Sequence, residues 1–76
     1  MKETFDLARF LAEVMVLSQH PEEFKMEEIR EKMLRNMATM SRLLGKPNDA
    51  TTYIEIADRK RSIRLAAMQS RNVKFN

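Results

Sequence analysis

Cysteine is absent from this 76-residue chain, which holds one glycine, two prolines and one histidine. Without cysteine there is no disulfide, and a structural zinc site loses its commonest ligand. A single glycine excludes the glycine-rich loop that cradles phosphates. Nucleophilic catalysis has nothing to start from. No serine is flanked by glycine, and no second histidine could orient a base. The composition therefore argues against an enzyme and implies no cofactor, no metal and no small-molecule substrate.

Long apolar runs are missing too. The longest, around Phe10 to Leu17, is interrupted by Glu13 and falls far below the ~20 residues of a membrane span. The opening Met1-Lys2-Glu3-Thr4-Phe5-Asp6 carries acids where a signal peptide needs a basic stretch. The expectation is a soluble cytoplasmic protein with no membrane partner, for which the lack of cysteine suits a reducing compartment. A chain this short forms one domain, residues 1–76. Its isolated stability would be only on the order of 3–5 kcal/mol. With disulfides and metals excluded, association with another chain is the remaining source of stability.

The last absence concerns charge. Every carboxylate lies at or before Asp58, whereas the final eighteen residues carry Arg59, Lys60, Arg61, Arg64, Arg71 and Lys74. Residues 1–58 hold eight Lys/Arg against eleven Asp/Glu, a balance of −3, and residues 59–76 sum to +6. A block of one sign attracts anionic surfaces, so these six cations are the candidate partner- or anion-binding residues.

What is present reads as helix. Thr4 can cap a first helix over about residues 5–18, because its hydroxyl can accept an orphan backbone N–H. Ten of the thirteen residues from Phe5 to Leu17 are apolar, and the exceptions, Asp6, Arg9 and Glu13, share one narrow stripe. A helix apolar nearly all round needs cover on several sides. Phe5, Leu7, Phe10, Leu11 and Val14 are therefore candidate association residues.

Pro21-Glu22-Glu23 reads as the opening turn of a second helix over about residues 22–44, with His20 at its start. Met26, Ile29, Met33, Met37, Met40 and Leu44 recur at spacings of three and four. Such a stripe is what a packed helix turns toward its neighbours, and ordinary core filling is the expected role. The alternative is an adaptable groove or association surface, with Met33, Met37 and Met40 at its centre. Glu23, Glu27 and Glu31, with Glu28 alongside, share another face; without a companion histidine they read as solvated carboxylates, with Lys32 and Arg35 as pairing partners four residues on from Glu28 and Glu31. Gly45 then ends the helix and Pro47 prevents its continuation.

Thr52-x-x-Glu55 matches a capping box for a third helix over about residues 50–71, leaving a tail at 72–76. Tyr53, Ile56, Ala57, Ile63 and Ala67 mark one of its faces, with Leu65 and Met68 beside it. The fold expectation is all-α, three helices joined by short turns in a packed or intertwined homodimer.

Two functions fit. The leading one is a regulatory or inhibitory adaptor that binds another protein through apolar surface and is steered to an acidic patch by the basic third helix. The alternative is a nucleic-acid-binding regulator using the same helix. Met40-Ser41-Arg42-Leu43-Leu44-Gly45 has the look of a helix-turn-helix. Its register fails at Lys46, where an apolar residue is expected, and at Thr51, where a side chain should be buried.

Overall fold

Asp6 starts the first helix. Its backbone is extended and its carboxylate accepts the Arg9 amide at 3.1 Å, satisfying one of the N–H groups that helix geometry orphans. The computed structural model describes residues 6–72, so the expected Thr4 cap, together with Phe5, lies outside the described residues. Helix α1 spans Leu7–Ser18, α2 spans Phe24–Leu43 and α3 spans Pro47–Asn72, with one 3-10 turn, Pro21–Glu23, between α1 and α2. The chain leaves α1 through Ser18, whose hydroxyl donates to the Met15 carbonyl at 2.8 Å. Pro21 then opens the 3-10 turn, where its missing N–H has no bond to forfeit.

The α2–α3 connection is three residues long because Gly45 permits it. Gly45 has φ of 77°, the left-handed region that costs other residues energy. Its amide donates to the Arg42 carbonyl at 3.1 Å and the Lys46 amide donates to Ser41 at 2.8 Å. This paired closure satisfies two carbonyls that α2 would otherwise leave open. Pro47 is at once the stop for α2 and the first residue of α3, with the Lys46 carbonyl accepting from the Ala50 amide at 3.1 Å.

The expected start at residue 50 is corrected to Pro47. The capping-box reading of Thr52 and Glu55 falls with it. Thr51 and Thr52 already lie inside the helix and donate back to the Pro47 and Asn48 carbonyls, each at 3.1 Å. The proline's fixed φ nucleates the helix a turn earlier than any threonine could. At the other end α3 continues to Asn72, one residue into the expected tail.

Helix α3 is central, packing against α2 along one side and α1 along another. The main apolar cluster joins Val14 and Leu17 of α1 to Ile63 and Ala67 of α3, flanked by Phe10, Phe24 and Ala66. Between α2 and α3 the buried apolar residues are small: Ala38, Ala50 and Ala57. Among the described residues no large side chain is fully buried. The shape agrees. The chain measures 53 × 31 × 14 Å with a radius of gyration of 14.6 Å, against about 11 Å for a compact domain of this length. A plate little thicker than one helix has two broad faces and almost no interior.

Candidate functional site

The seam between α2 and α3 is charged. From α2, Glu31 accepts from Arg35 Nε at 3.0 Å and from Arg64 Nη2 of α3 at 2.7 Å. Arg35 reaches on to Asp58 of α3 at 2.9 Å. One turn earlier on α2, Glu27 contacts Arg30 and takes Lys60 Nζ at 3.3 Å. Two further contacts tie α3 to α1. Arg59 pairs with Glu13 at 2.5 Å, and Arg71 donates to the Ser18 carbonyl at 2.9 Å, capping the negative end of α1.

Successive residues of a helix point in different directions, and here that geometry disperses the basic block. Arg59 turns toward α1, Lys60 and Arg64 toward α2, and Arg71 toward the end of α1. Arg61 is exposed and takes no ion-pair partner among the described residues. Lys74 lies outside them. Four of the six candidate anion-binding cations thus already hold an oxygen of their own chain.

Of the carboxylates expected to be solvated, Glu23 is exposed, but Glu27 and Glu31 are corrected by the same contacts. Glu31 is buried, only 8% exposed, and Glu27 is half-buried, because both face α3. Arg35 pairs with Glu31 as its spacing implied; the partners on α3, Lys60 and Arg64, were the part of the site that sequence reading missed. The signal was there: Glu27 and Glu31 on one long helix, Lys60 and Arg64 on the other, both four apart and opposite in sign. Arg64 Nε is buried without a hydrogen-bond partner.

Glu27 shows how the seam responds to acid. Burial works to raise its pKa, but hydrogen bonds from Arg30 and Lys60 and the Lys60 charge outweigh it, leaving the carboxyl below its ordinary value. A carboxylate with a depressed pKa contributes stability that is present above the ordinary glutamate range and lost as pH falls through the lowered value. Thermal melts between pH 7 and pH 3 should therefore show a fall in stability below the ordinary range. Glu27→Gln should make that acid limb shallower; an unchanged limb would mean the pairing contributes nothing.

With its charged side inward, α2 carries its apolar side outward. Met33 is 57% exposed, Met40 58% and Leu43 78%, and Met26, Ile29, Met37 and Leu44 are also exposed. The expectation that this stripe fills the core is overturned. The residues opposite it on the helix, Glu31 and Ala38, are the ones that meet α3. Alanines let the two backbones approach, and the ion pairs occupy the remaining length, so no room is left for a methionine row.

Helix α1 divides the same way. Leu7 and Leu11, two of the candidate association residues, form an exposed row with Met15. Val14 and Phe10 are corrected: Val14 is buried and Phe10 half-buried in the α1–α3 cluster. Val16, with Ile56 of α3, faces an open cleft of about 500 Å³ between α1, the 3-10 turn and α3, walled by the Glu13–Arg59 and Glu27–Lys60 pairs. On α3 itself, Ala57, Ile63 and Ala67 are buried as read, Tyr53 is half-buried, and Ile56, Leu65 and Met68 stay exposed.

At the turn, His20 Nδ1 lies 3.2 Å from Glu22 Oε2, and Glu23 completes an exposed trio. Exposed acidic groups of this kind sit on many surfaces without an ion. Among the described residues no helix is long and apolar enough to cross a membrane. No protein-family model, no curated protein and no solved structure matches the chain.

Proposed function

We propose that the chain is a small non-catalytic regulatory or inhibitory adaptor that self-associates and binds another protein through exposed apolar helix faces. The observation that carries this is the inversion of α2, with charged residues against α3 and seven large apolar residues, Met26 to Leu44, turned outward. A contiguous apolar row of that length on a soluble surface marks an interaction site. The row Leu7, Leu11 and Met15 on α1 is a second face, directed elsewhere, for the regulated protein. An amphipathic helix is the partner such a ridge accepts. Steering toward an acidic surface rests mainly on Arg61 and the net charge of +3.

Nucleic-acid binding is the reading the ion pairs weaken. Phosphates would have to compete with Glu13, Glu27 and Glu31 for Arg59, Lys60 and Arg64. The helix-turn-helix form has little support, since α2 and α3 run side by side through three cross-helix pairs rather than crossing at about 90–120°.

Immobilised protein should retain one defined polypeptide from host extract in fixed stoichiometry. Leu11→Asp combined with Met15→Asp should abolish that retention while the helical signal persists. Sedimentation at micromolar concentration should show more than a monomer. A folded monomer that retains nothing would remove the adaptor reading. Steeply salt-dependent binding to duplex or single strands, lost in Arg61→Glu, would replace it with the nucleic-acid one.

A further inference from the structure

We infer that the outward row of α2 is the seam between two copies of this chain, laid antiparallel about a twofold axis near residue 35. This rests on the self-association proposed above and assigns it a surface and an orientation. Met26, Met33 and Met40 recur by sevens, and Ile29, Asn36 and Leu43 fill the intervening places, the pattern of a two-helix seam. Met37 and Leu44 widen the row toward one side. Taken together, the seven exposed apolar residues present on the order of 700 Å² per copy, so a symmetric pair could bury at most about 1,400 Å², an upper limit within the range of stable specific interfaces.

A second copy fits this row better than an unrelated helix for three reasons. The first is register. In an antiparallel pair centred near residue 35, Met26 meets Leu44 of the other copy, Ile29 meets Met40, and Met33 meets Met37, so six of the seven large apolar residues find another, and Leu43 lies beside the Met26–Leu44 contact.

The second is charge. Lys25, Arg30 and Lys32 flank the first half of the row, whereas Met37, Thr39 and Leu44 flank the second half without charge. A parallel pair would set the cations of one copy beside those of the other; the antiparallel pair sets them against neutral residues.

The third is Asn36. It falls within one residue of the axis, so two amides meet there and can hydrogen-bond. A single polar residue in an apolar seam selects one register, which a row of flexible methionines would otherwise leave loose.

The chain's lack of cysteine allows a direct test. Met26→Cys and Leu44→Cys variants of the full chain, mixed and mildly oxidised, should form a disulfide-linked pair, while neither variant alone should link to itself efficiently. Charge placed in the row gives a second measurement at the exposed residues Met33 and Met40. Met33→Asp with Met40→Asp should turn the dimer into a monomer while the helical signal persists. Efficient self-linking of Met26→Cys would mean a parallel pair and would overturn the inference. A dimer in sedimentation that neither links Met26 to Leu44 nor responds to the change at Met33 and Met40 would sink this seam yet leave self-association standing. A monomer at every concentration would sink both.

Discussion

Glu31→Ala should leave the isolated chain largely unfolded at room temperature. Glu31 receives Arg35 and Arg64 at 3.0 and 2.7 Å, and its removal strands the Arg64 guanidinium where the side chain is only 13% exposed. Arg64 already has one buried nitrogen without a partner, so the loss falls on a group with nothing in reserve. Breaking a buried ion pair from one side costs about 3–5 kcal/mol. That matches the whole stability expected of a domain this size, on the order of 3–5 kcal/mol. Circular dichroism should show most of the helical signal gone and no cooperative melt.

Replacing both partners separates the charge from the fold. Glu31→Met with Arg64→Met removes the pair without leaving a stranded ion, and such exchanges are often neutral or stabilising. The double variant should melt cooperatively near the parent. If Glu31→Ala melts within a few degrees of the parent, the seam is not what holds α2 to α3.

The second large effect is expected from Ala57→Leu. Ala57 is 0% exposed and Ala38 is 1% exposed. The register set by Glu31 and Arg64, carried seven residues along each helix toward the connection, brings these two alanines level. No space is left there for a larger side chain. Three extra carbons must force the helices apart, at a cost of about 1–3 kcal/mol, and the same displacement lengthens the ion pairs on either side. In a domain of this size each kcal/mol lowers the melting temperature by about 4–8 °C, so a drop of ten degrees or more is expected. Thr51→Leu, at an exposed position of the same helix, should leave the melt nearly unchanged. Equal behaviour of the two variants would mean that α2 and α3 are not in close contact.

Both expectations concern features that local reading reached unevenly. The α2–α3 connection was legible because its causes lie within a few residues. Gly45 can take positive φ, Pro47 cannot continue a helix, and together they place the turn whatever surrounds it. Competing caps were harder. Thr52 and Glu55 have the right spacing for a capping box, but Pro47 starts the helix first and turns both into interior residues. At α1, Asp6 takes the role on the evidence of its bond to Arg9.

Harder still was the direction of a face. Met26, Ile29, Met33, Met37, Met40 and Leu44 share one side of α2 by spacing alone. Spacing says nothing of whether that side points to a neighbour or to water. Apolar residues usually point inward, and here Glu27, Glu31 and Ala38 do so, because Lys60, Arg64 and Ala57 on α3 match them. The basic block illustrates the same limit. As a run of sequence it reads as a surface seeking an anion, yet in the fold Arg59, Lys60, Arg64 and Arg71 each reach an oxygen of their own chain.

From the amino acids alone came three helices, the position of the tight turn and the membership of each helical stripe. All of these depend on backbone preferences and on neighbours within a turn or two. Only the packing decided that acids of α1 and α2 neutralise cations of α3, and that the methionine row is left on the outside. Those outcomes join residues more than thirty positions apart, and pairing over such distances is set by which helices meet rather than by any one helix's own pattern.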